Sequence, residues 1–238
     1  MLHCVLSSPV WTNDSITKMV VVRDPIARLI SGYLNKCILL RHTPQTNKRV
    51  PLCYKCADYD IRCFLRGTQS FLKKQVEQQH YELTGDPSRT HFYPQSWLCD
   101  FQRYLNRYSI NVQFNKTEQF RVEISRRFRM VGVPDSLLDS GWGPNNTDPF
   151  MSQKSWHASE ASNVSYLAKQ ITSSLSVLND IFCSYYVDYL MFGFRFPPQV
   201  RQHCDKIGPA AYEQVEICHF LHQMKWPEYD DFNCLLYL

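Results

Sequence analysis

The stretch that most constrains this chain is Met19-Val20-Val21-Val22-Arg23-Asp24-Pro25-Ile26-Ala27-Arg28-Leu29-Ile30-Ser31-Gly32-Tyr33-Leu34-Asn35-Lys36. Met19 and three β-branched valines predict a buried strand, because branched side chains pack well on a pleated surface. Asp24 suits a helix N-cap and Pro25 suits the first helical position. Ile26, Leu29, Ile30 and Tyr33 then recur at offsets of three and four, which places them on one helical face. Arg23 therefore stands where a strand ends and a helix begins, the crevice at which open α/β sheets bind ligands. Ser31 lies two turns further on, and Arg28 and Lys36 add positive charge. A guanidinium fork and a hydroxyl near such a junction can grip a phosphate monoester. The same residues also suit a plain capped turn in which Arg28 pairs with Asp24 one turn away.

With 238 residues the chain can bury a core as one domain with a small appendage. A net charge of +4 does not argue for nucleic acid, yet it leaves room for a local basic cleft around an anionic ligand. Fourteen Tyr, fourteen Phe and five Trp exclude a disordered composition. No apolar run is long enough to cross a bilayer, and Met1 to Val10 lack the basic and apolar regions of a secretory signal.

The cysteines indicate compartment. Ten of them (Cys4, Cys37, Cys53, Cys56, Cys63, Cys99, Cys183, Cys204, Cys218 and Cys234) are many for a reduced cytosolic protein. N-glycosylation sequons stand at Asn13, Asn115, Asn145 and Asn163. Together they favour a lumenal chain, and without a signal in the first residues the expectation is an incomplete N-terminus. Cys53-x-x-Cys56 with Cys63, and His42 nearby, also invites a zinc site. A structural zinc needs four ligands, commonly two spaced pairs, and no second pair follows, so disulfides are expected and no metal. Pairing among Cys204, Cys218, Cys234 and the earlier cluster stays open.

Along the chain, residues 37–63 read as a long stapled loop and 64–83 as a helix, broken by Gly85-Asp86-Pro87-Ser88. A second short strand is expected around Val112 and Phe114. A helix capped by Thr117 follows, with Phe120, Ile124 and Phe128 on one face, ending near Gly132 and Pro134. Residues 135–157 read as a loop. One long helix is expected through Leu167, Ile171, Leu175, Leu178 and Phe182 into Tyr185 to Phe194, and the composition changes after Pro197-Pro198. The alternation of strands and helices is that of the α/β class.

Three separated blocks resemble one family. The first is Arg23-Asp24-Pro25-x-x-Arg28-x-x-Ser31-x-Tyr33, with Lys36 after it. The second is His91-x-x-Pro94-Gln95-x-x-x-Cys99, followed by the strand from Val112 to Phe114 and by Glu118. The third is Tyr186-x-Asp188-Tyr189-x-x-Phe192-Gly193-Phe194. In order and spacing they are similar to the Golgi carbohydrate sulfotransferases, which use 3′-phosphoadenosine 5′-phosphosulfate (PAPS). The likeness is strongest to the chondroitin and dermatan 4-O-sulfotransferase branch and its invertebrate relatives, and it covers about residues 18–196.

That resemblance implies a P-loop-like α/β sulfotransferase fold, a parallel sheet flanked by helices, over residues 1–196, with 197–238 as a cysteine-bearing extension. It implies PAPS as co-substrate and a chondroitin-type glycosaminoglycan as acceptor, at the 4-hydroxyl of N-acetylgalactosamine. It also implies a type II membrane protein of the Golgi lumen whose anchor is not in these residues; no nucleic acid is involved. Arg23 and Ser31 would hold the 3′-phosphate, with Arg28 beside them. His91 is the candidate base, since imidazole titrates near neutrality; otherwise it orders the Pro94-Gln95 turn. Lys154 and His157 either cover the nucleotide or belong to an exposed polar loop. Asp188 reads as a helix-end partner and not as an acid.

The family also opens with a strand and a P-K-x-x-[ST] loop whose N–H groups and lysine cradle the 5′-phosphosulfate. Nothing from Met1 to Lys18 matches it, so these residues alone are expected to transfer sulfate poorly. The competing expectations are a non-catalytic glycan-binding relative and a cysteine-stapled secreted module, the latter indifferent to 3′,5′-ADP.

Overall fold

The computed structural model of the chain describes residues 13, 15, 17–39, 53–77, 89–104, 108, 110–114, 118–142, 161–207, 215 and 217–218. In chain order its elements are β1 (Met19–Arg23), α1 (Pro25–Tyr33), α2 (Ile61–Glu77), α3 (Phe101–Tyr104), β2 (Ile110–Phe114), α4 (Glu118–Met130), α5 (Asp135–Trp142), α6 (Ala161–Thr172), α7 (Leu175–Phe192) and α8 (Pro198–Ile207). The chain divides into two compact units. One comprises Met1–Asp24 and Gln95–Ala158, the other Pro25–Pro94 and Ser159–Leu238.

In the first unit β1 and β2 pair in parallel, in register from Met19 opposite Ile110 to Arg23 opposite Phe114. This is the parallel sheet expected of the α/β class. The expected helical face of Phe120, Ile124 and Phe128 lies on it: Phe120 and Ile124 bury with Val112, and Met19, Phe114 and Phe128 pack around them. Each side chain buried in this way contributes about 1.5–3 kcal/mol. Residues 135–142, expected in a loop, form α5 instead. Pro134 directly before the helix and Asp135 in its first turn are good start signals, and the Gly-, Pro- and Asn-rich sequence beyond had obscured them.

On α4, Glu123 accepts hydrogen bonds from both Arg126 (2.9 and 2.8 Å) and Arg127 (2.5 Å). These bonds hold its carboxyl down at about 2, from an ordinary 4.5. A depressed folded-state value means the carboxylate's support of α4 is complete above 4.5 and fades as pH falls towards 2. A nuclear magnetic resonance titration should give Glu123 a midpoint near 2, and the Arg126→Ala/Arg127→Ala variant should return it towards 4.5. An unshifted midpoint in the wild type would refute the pairing.

The second unit is built on α1, whose Ile26, Leu29, Ile30 and Tyr33 are buried as their spacing predicts. The helix begins at Pro25 and winds on as a π-helical turn over Leu34–Leu39. The stapled loop is stapled: Cys37 bonds Cys53 and Cys56 bonds Cys63. The cysteines of the possible zinc set are therefore spent in disulfides, and His42 lies outside the described residues. α2 starts earlier than expected, at Ile61, because the Asp60 carboxylate accepts the Cys63 N–H at 3.0 Å as an N-cap. Residues 78–83 of the expected helix lie outside the described residues. Gly67 on α2 is required: a Cβ there would stand 2.3 Å from the Tyr54 ring.

The single long helix expected across residues 167–194 is two helices, α6 and α7, parted at Ser173-Ser174. Thr172 Oγ1 and Ser173 Oγ bond back to the carbonyls of Ala168 (2.9 Å) and Gln170 (3.2 Å), and Ser174 is extended (φ −122°, ψ 110°). Hydroxyl side chains that satisfy local carbonyls compete with helix continuation, and two such residues stand directly before the extended Ser174. The core of this unit joins Phe64 and Leu65 of α2 to Leu167, Ile171, Leu178 and Phe182, and also takes in Val200, Cys204, Ile217 and Cys218 beyond Pro197-Pro198. Cys204 bonds Cys218, and Cys183 is also disulfide-bonded.

Candidate functional site

Arg23 ends β1, so its guanidinium leaves the sheet at the carboxyl edge, where α/β ligands bind. Its guanidinium carbon stands 5.8 Å from the centroid of the Phe114 ring, the residue opposite it in β2. Its backbone is held by one side chain. The Arg23 N–H donates to Gln95 Oε1 at 2.8 Å, and Gln95 Nε2 donates to the Arg23 carbonyl at 2.7 Å. A carboxamide presents the donor and acceptor of a peptide group, so Gln95 acts as one residue of a further strand at the point where the ladder ends. The role of Gln95 was hidden in the sequence, although the residue itself stood inside the second block.

Arg28 and Ser31 lie on α1 of the other unit, both partly exposed. One of the terminal N–H groups of Arg28 donates to the Tyr93 carbonyl and another to the Thr90 carbonyl at 2.8 Å. Burial pulls this guanidinium below its ordinary value, while the nearby charge of Asp188 opposes the shift. Asp188 is fully buried within α7, not at its end. Tyr185, one turn before it, donates its hydroxyl to the Phe92 carbonyl at 3.0 Å. Burial pushes that phenol up, out of the range in which it would ionise, and so it stays a donor.

His91 ends the short 3₁₀ turn Arg89–His91 and is partly buried. A Cβ built on Gly32 would stand 3.0 Å from Phe92 and 3.6 Å from the His91 Cβ, so the segment at 91–92 presses directly on α1 at its glycine. Lys154, His157, Asn115 and Asn145 lie outside the described residues. Asn13 is exposed, and its Oδ1 accepts from the N–H (2.9 Å) and hydroxyl (2.7 Å) of Ser15, the third residue of its own sequon. Asn163 is half-buried on α6. Among the described residues no helix is long and apolar enough to cross a membrane.

A family model described as the Sulfotransferase family matches residues 8–195. The chain belongs to that family. Over 200 residues the chain is 29% identical to the carbohydrate sulfotransferase chst-1 of Caenorhabditis elegans, covering 76% of this chain and 54% of that protein. It is 31% identical over 130 residues to the uncharacterized protein C18B2.2 of the same organism, 54% of this chain and 33% of that one. A putative sulfotransferase, vep-2, also from Caenorhabditis elegans, is 26% identical over 112 residues, 45% of this chain and 33% of the relative. The chain thus spans about half the length of the first and a third of the other two. No solved structure gives a significant match.

Proposed function

We propose that this sulfotransferase moves the sulfuryl group of PAPS to a glycosaminoglycan hydroxyl, the 4-hydroxyl of N-acetylgalactosamine in a chondroitin-type chain. The bond between sulfur and the 5′-phosphate oxygen breaks and a bond from sulfur to the acceptor oxygen forms. The acceptor proton passes to His91, and 3′,5′-ADP leaves. Such transfers depend on in-line positioning, cations around the moving group and a base for the incoming hydroxyl.

In this reading Arg23 and Ser31 take the 3′-phosphate, an assignment supported by their places in the first motif. The observation that carries it is Arg23 at the carboxyl end of β1, with its backbone pinned by both ends of the Gln95 amide. A phosphate-binding arginine works best when little freedom is lost on binding, and two hydrogen bonds to its own peptide groups supply that preorganisation. Lys154 and His157 are proposed to cover the nucleotide. The disulfides and the sequon at Asn13 support a lumenal, glycosylated protein of the Golgi. The carbohydrate sulfotransferase relative supports a glycan acceptor.

Calorimetry with 3′,5′-ADP tests this assignment. Arg23→Ala should lose about 1.5–3 kcal/mol, the worth of one charged contact to phosphate, or roughly 10- to 150-fold in Kd. Affinity equal to wild type would remove Arg23 from the site. Labelled sulfate transfer from PAPS to desulfated chondroitin, against other desulfated glycosaminoglycans, tests the acceptor.

A further inference from the structure

Two helices of the second unit, α1 and α7, converge on the backbone that carries His91. Arg28 of α1 donates to the carbonyls of Thr90 and Tyr93. Tyr185 of α7 donates to the carbonyl between them, that of Phe92. Gly32, one turn after Arg28 on the same face of α1, gives Phe92 and the His91 Cβ room to lie against the helix. We propose that Arg28, Gly32 and Tyr185 form a cradle that fixes residues 90–93 and thereby aims His91, making Arg28 a positioning residue and not a ligand of the nucleotide. This rests on His91 as the base of the proposed reaction.

The chemistry of each member fits the task. Residues 90–93 are a 3₁₀ turn and a bend, and side chains of α1 and α7 bond three of their carbonyls. A guanidinium can reach two carbonyls at once with donors held in a rigid plane. Asp188, fully buried on α7, supplies the counter-charge that lets this cation sit there. The third sequence block therefore acts on the second through the first: Asp188 steadies Arg28, and Arg28 steadies the turn at His91. Two of the five donors of the Arg28 guanidinium are committed to these part-buried bonds, which fixes where its fork lies.

The test compares Arg28→Lys, which keeps the charge but loses the fork, with Gly32→Ala, which presses a methyl on Phe92 and His91 and removes no charge. Three quantities are read in the purified protein: 3′,5′-ADP affinity, the steady-state constants for sulfate transfer, and the His91 ring resonance assigned through His91→Asn. Both variants should move or broaden the His91 resonance and cut kcat at least tenfold, with KM for PAPS and 3′,5′-ADP affinity within twofold of wild type. A tenfold or greater loss of 3′,5′-ADP affinity in Arg28→Lys overturns the proposal, because Arg28 would then be a nucleotide ligand. An unmoved His91 resonance in both variants also overturns it. If the resonance moves and kcat does not, the cradle stands and His91 as base falls. Should Arg28→Lys fail to fold, Gly32→Ala alone decides by the same resonance.

Discussion

His91→Ala is expected to lower kcat for sulfate transfer by about 10²- to 10⁴-fold, the span that a positioned general base commands. The incoming sugar hydroxyl is a poor nucleophile until its proton has somewhere to go, and imidazole is the side chain whose affinity for that proton matches neutral pH. The backbone at His91 is held: the carbonyls on either side of it are bound by Arg28 and Tyr185, and Gly32 lets it approach α1 closely. Affinity for 3′,5′-ADP should stay within twofold, because a base for the acceptor makes no contact that the product nucleotide needs. The measurement is turnover with saturating PAPS in the purified protein, with calorimetry beside it. A kcat within threefold of wild type would leave His91 as a residue that only orders the turn before Pro94-Gln95. A fall in nucleotide affinity matching the fall in kcat would move it to the cofactor side of the reaction.

What could be read before the structure, and what could not, follows from the range of each interaction. β1 and α1 were legible because their signals are local: a β-branched run, an N-cap with proline after it, and apolar residues at helical offsets. The same holds for β2 and for the buried face of α4. The expected burial of β1 holds only for Val22, while Val21 is exposed. The roles of Arg28 and Gln95 were not legible, although both residues stood inside recognised motifs. Arg28 meets partners 62 and 65 residues away and Gln95 meets one 72 residues away. Those partners are peptide groups, whose availability depends on irregular backbone that no spacing rule reports. Arg28 in the first block therefore reads from the sequence as a phosphate ligand, while in the folded chain two of its donors meet carbonyls. The break between α6 and α7 was misread for a different reason: the apolar offsets run straight through it, and the Thr172 and Ser173 hydroxyls beside it carry no weight in a hydrophobic pattern. Disulfide partners were beyond reach altogether, since ten cysteines admit far more pairings than spacing can sort.

Phe64→Ala is expected to be the most destabilising substitution in the second unit, at ~3–5 kcal/mol, the usual cost of emptying a buried phenylalanine site. Phe64 is fully enclosed, and its ring meets three others: Tyr33 at 4.8 Å, Phe92 at 4.9 Å and Tyr54 at 5.7 Å between centroids. Those partners come from α1, from the turn that carries His91 and from the loop stapled by Cys37–Cys53 and Cys56–Cys63. The site cannot collapse cheaply, because Tyr54 is already seated against Gly67 on one side and Phe92 against Gly32 on the other. A cavity that its neighbours cannot fill carries the full penalty. The predicted loss is a large share of the ~5–15 kcal/mol by which a domain is ordinarily stable, so the variant should melt early or fail to accumulate. Urea unfolding, with the slope held common to both proteins, gives the number. Phe64→Leu, which keeps most of the volume, should lose markedly less. A loss below ~1.5 kcal/mol for Phe64→Ala, the range of a volume-conserving swap, would mean that α1, α2 and the 90–93 turn are held together elsewhere. Where the loss is as large as expected, the His91 resonance should broaden under native conditions in Phe64→Leu as well, since Phe92 is packed on that ring and follows His91 directly in the chain.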